Sequence, residues 1–377
     1  MKKLLIEGWR GINHSYALVN QHQLLHLAAN PNFEVYHNDL PFFKAHWQNT
    51  TSGFDQEDTE IINSVMSSPS DGVDIIYRIS FPFRFYGGSA KRVFVFGTSE
   101  FGLIQKDFMH SGPEAGHTYS NSEFEIVTPS NWSKYGLMQS GYSGKVHVVP
   151  LGIDPARFWF ANQDEKKELR KLFELPRHAF IFLNIGAMTW NKGITPLLNA
   201  FAIHKKSYPD SYLVLKGSDF LYGNFFDQAV KEAIKLNSSG VSDALESVIY
   251  SKDNLSHEAL ACLYRASDAY VSPYLAEGFN LPVLEAIASG LPVITTEGGP
   301  TDDFCKDEFT LKIASEMVTS SIGRYLKPDV QSLVLQMSEA VDNDKLRKTA
   351  ATMGPAWAEK NYSWKVITDK LANLLIT

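Results

Sequence analysis

Two glutamates, Glu277 and Glu285, stand with seven residues between them in Glu277-Gly278-Phe279-Asn280-Leu281-Pro282-Val283-Leu284-Glu285. The flanking residues place them around a turn from a strand to a helix. The run from Ala269 to Tyr274 is short and apolar, and Pro282 opens a second apolar segment in the first-turn position where a helix tolerates proline. A helix start leaves backbone N–H groups unpaired and carries the positive end of the helix dipole, so the amides of Gly278, Phe279, Asn280 and Leu281 form a site for an anion such as a diphosphate. Glu277 flanks that site on one side and Glu285, one turn into the helix, on the other. The outline is that of a site for a polyhydroxylated, phosphorylated ligand. A surface glutamate before a turn and a solvated one on a helix would share the spacing; the preceding strand, the Gly-Pro punctuation and the Gly298-Gly299 pair set this stretch apart.

A cation for the same ligand stands upstream, in Gly186-Ala187-Met188-Thr189-Trp190-Asn191-Lys192-Gly193, a glycine turn with a lysine at the mouth of the next helix. Lys192 there could pair with a diphosphate and stabilise a departing nucleotide. A third loop, from Gly8 to Ser15, links the first strand to the first helix, and Gly11 would let a ligand approach the backbone closely. Arg10, Asn13 and His14 are further candidates in that loop, and a plain tight turn accounts for them equally well. Ser218 in Lys216-Gly217-Ser218-Asp219, and Tyr250 in Tyr250-Ser251-Lys252-Asp253, lie at the carboxyl ends of strands, where base and ribose contacts would be made. Asp302 and Asp303 read equally as site residues or as a helix cap. His22 and His26 have metal-ligand spacing on a helix but lack an adjacent glutamate or a third ligand, and no metal site is assigned.

The elements that must position these residues alternate between strand and helix along the whole chain, which implies α/β architecture with mostly parallel sheets. Strands are expected at 4–7, 33–36, 75–79, 93–96, 125–128 and 146–149, and again at 179–185, 212–216, 247–250, 269–273 and 292–295. Helices are expected at 15–27, 130–140, 162–173, 193–206, 225–236, 256–266 and 282–289. A chain of 377 residues exceeds the size at which one core usually keeps growing. Two domains follow, at 1–155 and 156–360, with a last helical segment at about 361–377 expected to pack back on the first.

The stretch from Glu277 to Ala286, continued by Ser289-Gly290-Leu291-Pro292-Val293-Ile294-Thr295-Thr296-Glu297-Gly298-Gly299-Pro300, resembles the signature of retaining glycosyltransferase family 4. That resemblance implies a GT-B fold, two Rossmann-like domains facing each other across a cleft, the amino-terminal one on the acceptor side and the carboxyl-terminal one holding the nucleotide sugar. It implies that Glu285 binds the ribose hydroxyls, that Glu277 contacts the transferred sugar, and that the Gly278 to Leu281 backbone holds the diphosphate. Gly186, Lys192 and Gly11 match family loops that face the donor phosphates. Val149-Pro150-Leu151-Gly152-Ile153-Asp154 resembles the family's linker, and Ser130 its capped helix start; both are read as structural. The family usually places an arginine directly after the first glycine of the lysine loop, where this chain has Ala187; Arg10, Arg78 and Arg84 of the first domain are the candidates to replace it. Several relatives also carry a histidine near the transferred sugar. The matching region, Val95 to Gly102, offers Glu100 instead, with His110 and His117 farther on.

Composition narrows the partners. A net charge of −7 leaves no basic excess to neutralise nucleic acid, and residues 1–157 carry 12 lysines and arginines against 15 acidic residues, so the first half is not a hidden basic domain. Membrane contact is therefore expected to be peripheral at most. Two cysteines, Cys262 and Cys305, make no disulfide framework. Leu4-Leu5-Ile6 meets a charge at Glu7 and reads as a first strand rather than a signal peptide, and no apolar run approaches the ~20 residues that cross a bilayer. The cytoplasm, or the inner face of its membrane, is the expected location. The expectation is thus a retaining, metal-independent hexosyltransferase with Glu277 and Lys192 as its catalytic residues. It would need no cofactor beyond a nucleotide diphosphate sugar as co-substrate, and its acceptor would be a saccharide or glycolipid. A non-catalytic sugar-nucleotide-binding protein and a GT-B-type sugar-nucleotide epimerase are the alternatives.

Overall fold

The computed structural model describes residues 1–12, 14–49, 53–104, 108–109 and 123–377. Asn13, His110 and His117 lie outside the described residues. The chain divides into two compact units, one formed by 1–152, 321–323 and 362–377 and the other by 153–320 and 324–361.

The first unit is built on β1 (Lys2–Gly8), β2 (Phe33–Asp39), β3 (Ile75–Ile79), β4 (Arg92–Phe96), β5 (Glu125–Thr128) and β6 (Val146–Val148). They form one parallel sheet in the order β2-β1-β3-β4-β5-β6. A parallel sheet is covered on both faces and so demands near-continuous apolar strands. All five residues of β3 are buried, Arg78 included. That arginine is tolerated because it pairs at 2.5 Å with Glu7, its register partner on β1, and donates to the carbonyls of Tyr86 and Gly87. The unit's helices are α1 (Ser15–Ala28), α2 (Gln56–Ser64) and α3 (Asn131–Gln139). His14 caps α1 by accepting from the Tyr16 amide through Nδ1 at 3.2 Å, and Ser130 caps α3 through its hydroxyl oxygen.

The second unit carries β7 (Phe180–Ile185), β8 (Ser211–Lys216), β9 (Val248–Ser251), β10 (Ala269–Ser272), β11 (Val293–Thr296) and β12 (Thr310–Ile313), again all parallel, in the order β12-β11-β10-β7-β8-β9. Its helices are α4 (Gln163–Leu172), α5 (Ile194–His204), α6 (Asp219–Tyr222), α7 (Phe226–Leu236), α8 (Ser238–Ala244), α9 (His257–Ala266), α10 (Leu281–Ala288), α11 (Val330–Asp342) and α12 (Asp344–Tyr362). One face of this sheet buries Phe182, Leu213, Leu215 and Val271 against α5, α7 and α11. Strand order reverses between β7 and β10. Chains leaving the two strands diverge there, which opens the crevice where open α/β sheets take ligands.

The expected strands and helices occur with bounds that move by at most three residues. Missing from the expectation are α2, α6, α8, α11, α12, the edge strand β12 and the two-stranded sheet of β13 (Ser315–Ser320) with β14 (Gly323–Pro328). The last helix, α13 (Trp364–Ile376), is grouped with the first unit and packs on α1, where the Trp364 ring stacks on His22 at 4.7 Å and 11°. His22 is thus a packing residue rather than half of a metal pair.

Candidate active site

The β7–β10 switch point brings Lys192 and Glu277 together. Lys192 Nζ donates to Glu277 Oε1 at 2.6 Å, across 85 residues of sequence. Two neighbours of Lys192 fix this geometry. Asn191 ties the lysine turn to the glutamate loop, its carbonyl accepting from the amides of Leu275 (2.7 Å) and Ala276 (3.3 Å) while its Nδ2 donates to the Ala276 carbonyl at 3.0 Å. Gly193 has φ +73°, and a Cβ there would lie 1.9 Å from the Pro273 carbonyl oxygen. Only glycine lets the turn press this closely on the exit of β10. Neither Asn191 nor Gly193 was singled out by the sequence pattern; their partners lie 80 or more residues away. At Gly186, which was, an added Cβ would meet only the Lys192 stem, at 3.7 Å, so no close backbone approach demands glycine there.

Past Glu277 the chain turns sharply into α10. Asn280 adopts the left-handed conformation (φ 75°, ψ 65°) at the N-cap and donates through Nδ2 to Ser272 Oγ at 2.9 Å, so the strand end holds the turn. Pro282 sits in the first helical turn, as expected. Phe279 stacks on Phe304 at 4.7 Å and 28°, so only its backbone is offered to a ligand. The far end of α10 is backed by α12, whose Gly354 leaves no room for a Cβ against the Ile287 carbonyl (2.6 Å).

Glu285 is 7% exposed and accepts a hydrogen bond from the Tyr264 hydroxyl of α9 at 2.7 Å. Burial pushes its carboxyl up from the ordinary 4.5 to about 7, with the Tyr264 bond acting the other way. Glu277 is equally shielded, at 8% exposed, but has the lysine charge beside it. The two carboxyls therefore occupy opposite environments, one paired with a cation and one beside a neutral phenol.

The outer candidates divide by unit. In the second unit Ser218 precedes α6 without a capping bond, and Tyr250 donates its hydroxyl to Asp219 and stacks on Phe226 at 4.2 Å. In the first unit Gly11 has φ +70°, its amide donates to Gln21 Oε1 at 3.1 Å, and it lines a cavity of about 670 Å³ together with Arg10, Asp39 and Asn49. Arg10 is engaged in a two-toothed pair with Asp39 and donates to the Ile62 carbonyl at 2.7 Å. Glu100 follows β4, its carbonyl accepting from Trp132 Nε1 at 2.8 Å. Arg84 donates to the Tyr86 hydroxyl at 3.0 Å, so each of the three arginines considered for the Ala187 gap has a partner inside the first unit.

Asp302 accepts from the Gly298 amide at 2.7 Å and pairs with Lys312, which settles that residue as a turn-former. The expected metal independence rests on the lack of an Asp-x-Asp sequence, but one occurs, Asp342-Asn343-Asp344, between α11 and α12. There Asp342 accepts from the Tyr208 hydroxyl at 2.5 Å and Asp344 pairs with Lys348 and Arg347, so it serves a helix junction away from the β7–β10 edge. Among the described residues no group of three or more His, Cys, Asp and Glu side chains is arranged to hold a metal ion, and no helix is long and apolar enough to cross a membrane.

Comparison with known proteins gives a consistent picture. Residues 165–357 match the family model described as glycosyl transferases group 1. Mannosylfructose-phosphate synthase of Agrobacterium fabrum is 25% identical over 244 residues, covering 64% of this chain and 49% of that protein. UDP-Gal:alpha-D-GlcNAc-diphosphoundecaprenol alpha-1,3-galactosyltransferase of Escherichia coli is 28% identical over 173 residues, covering 44% of this chain and 40% of that protein. The chain thus spans about half the length, or less, of these relatives. Sucrose-phosphate synthase of Thermosynechococcus elongatus superposes with a TM-score of 0.68 at 16% identity, covering 99% of this chain and 98% of that one, a likeness of fold.

Proposed function

The chain belongs to the glycosyl transferases group 1 family, and from that premise we propose that it is a retaining, metal-independent glycosyltransferase that moves a hexose from a nucleotide diphosphate sugar to a saccharide or glycolipid hydroxyl. The observation that carries this reading is the 2.6 Å contact of Lys192 with Glu277 at the β7–β10 crevice, beside the amides that open α10. The anomeric carbon of a nucleotide sugar already bears a good leaving group, so the enzyme's task is to stabilise a departing diphosphate and the positive charge growing on the ring. Lys192 and the α10 amides answer the first need. Glu277 answers the second by holding a sugar hydroxyl, and with it the ring, in place. Glu285 accepts from the ribose hydroxyls. Retention follows the resemblance of the Glu277 to Glu285 segment, with attack on the face the leaving group vacates, and no covalent nucleophile is assigned.

The donor named for the Escherichia coli relative, UDP-Gal, and its diphosphoundecaprenol-linked acceptor support a nucleotide sugar and a glycolipid as the first substrates to try. The test is donor hydrolysis and transfer by wild type, Glu277→Ala and Lys192→Ala, in buffer with and without EDTA. Loss of both reactions in both variants, with no effect of EDTA, is expected. Unchanged transfer in both variants would sink the proposal.

A further inference from the structure

A second buried cation stands on the same sheet edge. Lys216 ends β8 and is only 6% exposed. An ammonium in such a place usually has a carboxylate beside it, because burying an unpaired charge is costly. Among the described residues no carboxylate lies within 4 Å of Lys216 Nζ; Asp219 and Asp253 act on it only through space, and its hydrogen bond goes to the carbonyl of its own neighbour, Gly217. An ammonium has three protons to donate, so that one bond leaves capacity unused. Burial lowers its pKa, as it must where no counter-ion sits alongside.

Its position is specific. Leu213 and Leu215 point into the core formed with α5, α7 and α11, so alternation puts Val214 and Lys216 on the opposite face. Tyr270 marks that face: its hydroxyl lies 3.3 Å from both the amide and the carbonyl of Ile185, its ring packs on Tyr264, and Tyr264 holds Glu285. Lys216 pairs in register with Ile185, and the Lys216 carbonyl accepts from the Gly186 amide at 3.0 Å. The Lys216 backbone therefore lies about 5 Å, one strand spacing, from the start of the loop that carries Lys192.

We propose that Lys216 is a second cation for the diphosphate, taking the ligand's negative charge as the counter-ion that the protein itself does not provide. The assignment rests on the nucleotide-sugar reading of this unit and adds to it a binding residue that no motif marks. Ala187, two residues past Ile185 and half-buried, carries no charge, so Lys216 is the cation that flanks this loop from the β8 side.

The test measures binding of UDP, GDP, ADP and dTDP, and of the matching nucleosides, to wild type, Lys216→Met, Lys192→Met and the double variant Lys216→Met/Ala187→Arg. Thermal melting of each empty protein is recorded alongside. With whichever diphosphate binds the wild type, Lys216→Met is expected to lose about ten- to hundredfold in affinity, to keep its nucleoside affinity, and to melt no lower than wild type because a buried charge has been removed. Arginine at 187 is expected to restore part of the loss by presenting a cation to the same anion from the neighbouring loop. Unchanged diphosphate affinity in Lys216→Met, with a loss in Lys192→Met, overturns this assignment and leaves the proposed function standing. A lower melting point with diphosphate and nucleoside affinities falling together makes Lys216 structural and also overturns it. Binding of none of the four diphosphates to the wild type overturns both.

Discussion

Replacing Glu285 by glutamine separates what this carboxyl does for the fold from what it does for a ligand. In the folded protein Glu285 holds its proton up to about pH 7, whereas the unfolded chain releases it near 4.5. Between those values the unfolded state binds fewer protons than the folded one, so stability falls as pH rises; the contribution is complete below 4.5 and gone above about 7. At 1.36 kcal/mol per pKa unit the interval is worth about 3 kcal/mol. Glutamine keeps an acceptor for the Tyr264 hydroxyl but does not titrate, so Glu285→Gln should gain about 3 kcal/mol on wild type between pH 4.5 and pH 8. Urea denaturation at the two pH values measures it, and taking variant minus wild type at each pH cancels every other titrating group. An equal gap at both pH values refutes burial as the cause. The same variant should bind nucleosides less tightly, since the ribose loses a charged acceptor. A carboxylate kept where it destabilises the folded protein is the signature of a binding residue.

Gly193→Ala should cost about 1–3 kcal/mol for the left-handed backbone alone, more for the clash with the Pro273 carbonyl, and should release Lys192 from Glu277; loss of transfer with a lowered melting point checks it, and an active variant of unchanged stability would contradict it. Asp268→Asn removes the carboxylate that Lys166 and Arg170 share and should destabilise by about 3 kcal/mol, read by urea denaturation, with no selective effect on nucleotide affinity. A nucleotide sugar, whose diphosphate does not titrate near neutrality, should bind more weakly as pH falls below about 7, because ribose hydroxyls donate to ionised Glu285. Calorimetry at pH 6 in buffers of different ionisation heat should register a proton released on binding.

The parts of this architecture that were legible in sequence are those whose causes are local. β3 and β5 fall at the expected residues because short apolar runs between turn-formers leave little choice of register, and Pro282 with the preceding turn announces α10 on its own. Some of the missed elements lack a strong apolar period, although α11, which buries Leu333, Met337 and Ala340 at helical spacing, does not. Only Ile62 of α2 is buried, and β13 has no fully buried residue, so neither carries the pattern that burial would impose. Within the candidate site the two glutamates were visible as a spacing, but their environments were not. Glu285 looks like a solvated helix residue until Tyr264 arrives from α9, and the need for Gly193 is set by a carbonyl 80 positions downstream. Lys216 reads in sequence only as the last residue of a strand, at the carboxyl edge where base and ribose contacts are expected; its burial is a property of the sheet.

The charges at this edge argue that one lysine is too few. The Lys192 charge is already met by Glu277 at 2.6 Å, and Glu285 is neutral below about pH 7. A diphosphate arriving there would find a compensated ion pair and the partial charge of a helix end, roughly half an elementary charge. To draw on Lys192 it must loosen the contact with Glu277, which also frees that carboxylate to take a sugar hydroxyl. The exchange couples the two halves of the donor: phosphate binding at the lysine makes the glutamate available to the sugar. Lys216 makes such an exchange favourable, because its charge has no ion-pair partner within 4 Å to give up among the described residues. On this account Lys216→Met should weaken a nucleoside diphosphate and the intact nucleotide sugar alike, whereas Glu277→Gln, by releasing Lys192, should tighten the diphosphate while weakening discrimination among sugars. Diphosphate affinity that falls in Glu277→Gln would show that the pair acts as one unit and that no exchange of partners takes place.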